Sequence, residues 1–366
     1  MTRRRMIIVG GGQSGLAAAR AAMEAHWAPT VLEAGPAASG SWPSYYDSLS
    51  LFSPAELSGF PDFDFPGRPG HYPRRDEVAS FLTSYAAWLD ADITTDTRVT
   101  TVSARGDELD VHADDGRVFT GDAVIAASGS FGNPFVPRLP EHDHFRGRLL
   151  HVAQYRSHAE FTGERVVVVG AGNSAIQVAH ELAEVARVSL AVRHPVRLVP
   201  QRRLGRDIHY WLRRLGLDRW PPRLLSLLGS EPLVFDTGPY EAGLASGRLD
   251  QRPAFSRFHL DGVVWADGTT EAVDTVIMAT GYRPDLPYLA DLGALDATGA
   301  PRHHRGLSTV HPGLAFLGLE FQQTFSSNTL RGVHRDAHHV VRGLTAIADR
   351  RTIGTGARDR VRVPMA

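Results

Sequence analysis

The chain contains no cysteine. That excludes structural disulfides, thiolate metal sites, a cysteine nucleophile and a dithiol redox pair. No apolar run approaches the ~20 residues of a transmembrane helix. The opening run, Met6-Ile7-Ile8-Val9, stops after four residues at three glycines, too short for the apolar region of a secretory signal. With no export signal, the expected compartment is the cytoplasm. Charge of one sign is also missing: Lys+Arg is 39 and Asp+Glu is 40, for a net charge of −1. That balance supplies no whole-molecule field to hold nucleic acid or an anionic membrane, so neither is an expected partner. What is present is an ordinary globular composition, 43% hydrophobic and 22% charged. At about 150 residues per domain, 366 residues predict two to three domains.

One pattern occurs twice. Met6-Ile7-Ile8-Val9 reads as a buried strand, Gly10-Gly11-Gly12-Gln13-Ser14-Gly15 as a glycine turn, and residues 16–23 as a helix. A second strand at 29–32 ends in Glu33. The run Arg165-Val166-Val167-Val168-Val169 leads into Gly170-Ala171-Gly172-Asn173-Ser174-Ala175 and a helix predicted over 176–185. Its following strand, at 188–192, ends in Arg193. Gly15 to Glu33 and Ala175 to Arg193 are both 18 positions apart. Later in each half an Asp-Gly turn, Asp115-Gly116 or Asp267-Gly268, closes a hairpin. A buried strand follows, ending at Gly129 or Gly281, and each lies 13 positions after the turn glycine. The repeat predicts an α/β chain of two doubly wound Rossmann-like dinucleotide-binding domains.

A glycine turn between strand and helix points backbone N–H groups and the positive end of a helix dipole at a pyrophosphate. The first glycine allows the turn, the second lets the phosphate approach, and the third lets helix and strand pack closely. The residue ending the second strand selects the nucleotide. Glu33 accepts hydrogen bonds from an unmodified ribose 2′-hydroxyl, as the adenosine of FAD or NAD offers. Arg193 cannot accept and instead pairs with the 2′-phosphate of NADPH, with Arg202 and Arg203 as candidates to share it. Two nucleotide sites in one chain imply electron flow from NADPH to a flavin, and the cofactor carries the hard chemistry.

A strand near 313–318 and a helix near 329–347 remain after the second unit. They cannot form a domain alone, so they complete the first unit, and the second is inserted in it. The expected division is 1–155 and 285–366 for FAD and 156–284 for NADPH. A helical insertion near 195–256, with a helix at 208–215, lies within the second part.

Phe145-Arg146-Gly147-Arg148-Leu149-Leu150-His151-Val152-Ala153-Gln154-Tyr155 matches the FxGxxxHxxx(Y/F/W) pattern of a known family. Gly40-Ser41-Trp42 and Ala279-Thr280-Gly281-Tyr282 match further elements. From Ile7 to about Leu344 the chain resembles the class B flavin-dependent monooxygenases: the flavin-containing and YUCCA-type group with its small bacterial relatives. The resemblance implies that Gly10, Gly12, Gln13, Ser14, Gly15 and Glu33 hold FAD, with Ser41, Trp42 and Phe52 along it. It implies that Gly170, Gly172, Asn173, Ser174, Ala175 and Arg193 hold NADPH. Ser128 and Gly129, and Ala279, Thr280 and Gly281, become the crossover segments at the domain junction, and Leu330 meets the flavin edge. In such enzymes NADPH reduces FAD, O2 adds at flavin C4a, and the hydroperoxide gives one oxygen atom to a small-molecule substrate. N- or S-oxygenation or keto-acid oxidation is the expected outcome. Tyr155 stands where typical Baeyer–Villiger members have Trp. Ser53, in Leu51-Phe52-Ser53-Pro54, stands where many flavin-containing members have a flavin-facing Asn, and is the one catalytic candidate.

Other features carry less. His151 reads as an anchor of the interdomain linker. His303-His304 and His338-His339 do not read as metal ligands, since adjacent residues do not face one site. Trp42, Tyr46 and Phe52 are the aromatics expected nearest the cofactor, with Gln322-Gln323 as further contacts. The basic stretch 358–362 reads as solvated. Two other enzymatic readings fit the same features: an FAD-dependent NADPH reductase or oxidase without a dithiol, and a Baeyer–Villiger monooxygenase. A nucleotide-binding sensor is a non-enzymatic third. Substrate identity and oligomeric state, a homodimer included, stay open.

Overall fold

The Val/Ile-rich strands that follow or precede each glycine turn are buried on both faces, as strands of a covered parallel sheet must be. The computed structural model describes residues 3–221 and 233–359, with side chains to residue 351; the basic stretch 358–362 lies outside the described side chains. The strand Arg5–Val9 pairs in parallel with Ala28–Leu32 on one side and Ala123–Ala126 on the other. They form the centre of a seven-stranded sheet that continues through Asp92–Thr94 at one edge and Leu314–Phe316 toward the other. One face packs on the helices Gln13–Glu24 and Val333–Asp359 through Met6, Ile8, Leu16, Val333 and Val340. The other packs on an antiparallel meander, Val99–Arg105, Glu108–Ala113 and Val118–Gly121, through Ile7, Val9, Val102, Val111 and Val124.

The second sheet repeats the scheme with five parallel strands. Their order is Asp250–Pro253, Arg187–Val192, Arg165–Val169, Thr275–Met278 and Arg148–His151. The helix Asn173–Leu182 covers one face through Ile176 against Val166 and Val168. A three-stranded hairpin unit, Arg257–His259, Gly262–Val264 and Thr270–Ala272, covers the other through Phe258 and Trp265 against Val167 and Val276. Both Asp-Gly turns place glycine at positive φ, +85° at Gly116 and +86° at Gly268. The strand Leu314–Phe316 lies parallel to Ala123–Ala126. The chain therefore returns to its first sheet after completing the second, which makes the second unit an insertion in the first.

Three details differ from the sequence expectation. Arg148–His151 is an edge strand of the second sheet, although it lies before residue 155. Its two leucines carry no alternation that marks it in advance. Asp250–Pro253 belongs to the same sheet rather than to the insertion. The insertion is also mixed rather than helical: Arg197–Pro200 pairs in parallel with Leu233–Asp236. A two-residue hairpin leads into the helix Ile208–Arg214, and a further helix spans Pro239–Ala245. The final helix begins at Val333, because residues 326–332 form turns, with the Thr329 and Gly332 N–H groups donating to Ser326 and Thr329 carbonyls. No helix of the described residues is long and apolar enough to cross a membrane.

The crossing of helix and strand at the first turn depends on one missing side chain. A Cβ at Gly15 would stand 1.7 Å from the Gly10 carbonyl oxygen. The matching position in the second unit is Ala175, which is fully buried without such a clash. Gly15→Ala should therefore destabilise the fold by about 1–3 kcal/mol, the range for overpacking a tight site, and release FAD. Ala175→Gly should cost under half as much. A thermal melt and the bound-flavin absorbance read both; an unchanged Tm with full FAD content in Gly15→Ala would contradict the account.

Candidate active site

Each strand-to-helix turn is shaped by a carbonyl pressed against it. Gly10 has φ +107°, and a Cβ there would lie 2.5 Å from the Ala127 oxygen. Gly170 has φ +141°, and a Cβ there would lie 2.4 Å from the Ala279 oxygen. So in both units the linker leaving the last strand touches the glycine turn, by the same contact. Both helices begin with a glycine N-cap, Gly12 and Gly172, that has no side-chain cap, and neither has an acidic residue in its first turn. The first N–H groups of a helix have no intrahelical acceptor. Left without side-chain caps at both turns, they form two anion-binding cradles.

Both cradles open onto one cavity of about 1770 Å³. Gly10, Gly12, Gln13, Ser14 and Glu33 line its first end, with Ser41, Trp42, Phe52 and Ser53 along the wall. Gly170, Gly172, Asn173, Ser174, Ala175 and Arg193 line its second end. Ser128, Gly129, Ala279, Thr280, Gly281 and Leu330 lie between them. Gly15 is absent from the wall, because it serves helix–strand packing behind it.

Glu33 is buried, and its carboxylate accepts the Gly11 N–H at 2.6 Å and the Gly35 N–H at 2.7 Å. Each oxygen keeps acceptor capacity for a ribose hydroxyl. Arg193 is exposed at the other end and has no hydrogen-bond or ion-pair partner among the described residues. The two cradles differ in cover. A Cβ at Gly12 would meet Gly40 at 3.3 Å, whereas one at Gly172 would meet nothing within 4 Å. The first is roofed by the segment that leads to Trp42, and the second is open. Residues present thus fit two dinucleotides: N–H cradles without competing acids, an acceptor for one ribose and a free guanidinium for the other.

Between the cradles the linkers run side by side. The Phe135 N–H donates to the Gly281 carbonyl at 2.9 Å, Arg283 N–H to Asn133 at 2.9 Å and Asp285 N–H to Gly129 at 3.0 Å. The Ser128 hydroxyl donates to the Asp285 carbonyl at 2.8 Å. His151 fixes this junction. Its Nδ1 accepts the Ala153 N–H at 3.1 Å, so its Nε2 is the donor to the Gly281 carbonyl at 3.0 Å. Burial lowers its pKa, and the ring is a neutral strut rather than an acid or base. The rest of the fingerprint is packing. Phe145 sits 5.2 Å from Phe258, Gly147 leaves room for the Asp274 carbonyl at 2.6 Å, and Tyr155 is buried against Tyr46 and Phe161.

The wall between the cofactor ends is aromatic. Trp42 lies 5.7 Å from Tyr45, Tyr45 4.6 Å from Phe131, and Phe131 is stacked 5.6 Å from Tyr282. Burial raises the pKa of Tyr45 and Tyr282, which keeps both phenols neutral. Ser53 lies in this wall, and its Oγ is 2.9 Å from Ser58 Oγ. Ser58 spends its own proton on the Pro54 carbonyl at 2.9 Å. The Ser53 hydroxyl is therefore engaged by Ser58 within the wall.

Several expected contacts are elsewhere. Tyr46 is buried in the core of the second unit, donating to Gln177 Oε1 at 2.9 Å. Arg202 and Arg203 stand exposed in a hairpin outside the cavity wall. Gln322 braces the turn after the strand Leu314–Phe316, donating to the Phe316 carbonyl at 3.0 Å, and Gln323 accepts from Arg305. Their neighbours Phe321 and Phe325 line the cavity instead. Phe131 and Phe235 were not legible as wall residues, since neither lies in a periodic segment or motif. The ion pair of Arg331 with Asp218, at 2.9 and 3.1 Å, joins the insertion to the turn before the last helix; it spans 113 positions of chain and leaves no local signal. Among the described residues no cluster of His, Cys, Asp or Glu could hold a metal ion.

Residues 7–217 match the pyridine nucleotide-disulphide oxidoreductase family. The protein is 31% identical to the indole-3-pyruvate monooxygenase YUCCA1 of Oryza sativa subsp. japonica, covering 92% of this chain and 90% of that one. It is 31% identical to a CzcO-like oxidoreductase of Geobacillus kaustophilus over 83% of this chain and 87% of that one. The flavin-containing monooxygenase of Stenotrophomonas maltophilia superposes with a TM-score of 0.83 at 32% identity, over 95% of this chain and all of the other. With two dinucleotide cradles in one cavity and no thiol beside them, the chain belongs to the pyridine nucleotide-disulphide oxidoreductase family as a class B flavin-dependent monooxygenase of the small bacterial type, an enzyme with FAD and NADPH as cofactors.

Proposed function

We propose that the protein oxygenates a small molecule at sulfur, nitrogen or a keto-acid carbonyl, using NADPH in preference to NADH. FAD occupies the roofed cradle at 10–15, with its adenosine ribose on Glu33. NADPH enters the open cradle at 170–175 and sets its 2′-phosphate on Arg193. The unpaired Arg193 at one end of a cavity that also holds Glu33 is the observation that carries this reading. Bound FAD supplies hydride acceptance and the activation of O2. The chain's own part is to bind, orient and exclude water. The linkers clamp both cofactors at the Gly129 and Gly281 crossover, and Trp42, Tyr45, Phe131 and Tyr282 give an apolar wall for the substrate.

The reaction is tested by turnover of the FAD-loaded enzyme with NADPH and isotope-labelled O2. An aryl methyl sulfide, a tertiary amine and an aryl keto acid serve as substrates. One labelled oxygen atom in a product is expected. Release of peroxide alone, with steady dye reduction and no oxygenated product from any of the three, would instead identify a reductase or oxidase. The nucleotide assignment has its own check. Arg193→Ala should raise KM for NADPH at least about tenfold, in line with roughly 1.5–3 kcal/mol for a hydrogen bond to a charged group, and leave KM for NADH unchanged. An unaltered NADPH/NADH ratio would sink it. Because the Ser53 hydroxyl is engaged by Ser58, Ser53→Ala should keep the ratio of oxygenated product to NADPH consumed within about twofold of wild type, well below the value of a hydrogen bond to a charged group. A collapse of that ratio to peroxide release would show that Ser53 reaches the reacting centre.

A further inference from the structure

The near-zero net charge conceals an uneven distribution. The chain has no lysine, so its 39 basic side chains are all arginines, about one residue in nine. Between residues 202 and 220, six of 19 are arginine. This arm comprises the hairpin Arg202–Arg203 with Arg206–Asp207, the helix Ile208–Arg214 and the turn Leu217–Arg219. Its two carboxylates are both turned inward. Asp207 accepts from the Tyr72 hydroxyl at 2.6 Å, from Gln201 Nε2 at 2.8 Å and from the His209 N–H at 2.7 Å. Asp218 is committed to Arg331. The wholly buried His209 fastens the helix by its ring, 5.7 Å from Phe52 and 4.8 Å from Phe235.

What the arm leaves outside is cationic and apolar. Arg202, Arg203, Arg206, Arg213, Arg214 and Arg219 are exposed, and none forms an ion pair among the described residues. Leu204, at the hairpin tip, is 90% exposed and has φ +49°, and Leu215 is 64% exposed. Tyr210, Arg213 and Arg214 share a helix face by their i, i+3 and i+4 spacing, and the Arg206 guanidinium lies 5.3 Å from the Tyr210 ring. Trp220 is exposed at the arm's far end.

We propose that this arm seats the protein on an anionic lipid surface. Arginine forks pair with phosphate oxygens in two-pronged geometry. Tyrosine and tryptophan favour the headgroup level, and a basic amphipathic surface lies in that plane with its aliphatic tips in the acyl boundary. A nucleic acid would engage the arginines and rings but leave Leu204 and Leu215 in water, so the bare leucines favour lipid. The arm's inner side is Phe52 and Phe235, both in the cavity wall. Docking therefore sets that wall against the membrane, where apolar small molecules concentrate.

The test is co-sedimentation of the full FAD-loaded chain with phosphatidylcholine vesicles, with or without phosphatidylglycerol. Binding to the anionic vesicles alone, released by high salt, is expected. Arg213→Gln with Arg214→Gln should weaken it about 30-fold, the loss of two arginines at about 1 kcal/mol each, and Leu204→Ser should weaken it while leaving its salt dependence in place. Equal partitioning to both vesicles, or binding indifferent to these substitutions, overturns the proposal. So does binding to a single-stranded oligonucleotide without binding to vesicles, or a wild-type dimer in sedimentation that the double variant dissociates. Bound-flavin absorbance of each variant confirms that it is folded.

Discussion

Everything in this structure depends on two uncapped helix N-termini held at the ends of one cavity. Each is held by the same contact: a linker carbonyl, Ala127 in one unit and Ala279 in the other, pressed on a glycine whose missing Cβ leaves 2.5 or 2.4 Å. That contact ties the strand that ends each unit to the turn that opens it. It also fixes the two linkers at the junction, where they pair with each other and with His151. Cofactor site, crossover and domain arrangement are therefore consequences of one steric demand, met twice.

The two ends are built alike and differ in cover and charge. Glu33 sits buried under backbone N–H donors, and its cradle is roofed by Gly40. Arg193 stands in the open without a partner among the described residues, at the end where Gly172 faces open space. On the proposed assignment, the roofed end suits a cofactor that stays and the open end a co-substrate that exchanges. The absence of cysteine completes the picture. The same family includes disulphide chemistry, but this cavity offers aromatic walls and no thiol, so the electrons need a different acceptor.

Much of this was legible in the sequence because it is local. A valine run, a glycine turn and a residue 18 positions on are set by the geometry of a strand–turn–helix–strand unit, and the repeat made the inference doubly constrained. The predicted cradle residues line one cavity for that reason. Most of the failures are long-range. Tyr46 reads as a cofactor neighbour but packs into the second core. Gln322 points back at Phe316 rather than into the cavity. Phe131, Phe235 and the Asp218–Arg331 pair meet the site through chain separations that no local pattern encodes. Tyr155 shows a subtler limit: it lies in the fingerprint, yet it is buried away from the cavity wall. Whatever its identity says about the reaction acts through packing of the junction.

The central claim is that a nicotinamide and a flavin meet in this one cavity. Anaerobic rapid mixing of the FAD-loaded enzyme with NADPH tests it most directly. The account predicts loss of oxidised-flavin absorbance without any mediator, at a rate lowered by deuterium at the transferred nicotinamide position. Flavin that stays oxidised under NADPH, or is reduced at a rate blind to deuterium and unsaturated by nucleotide, would contradict it.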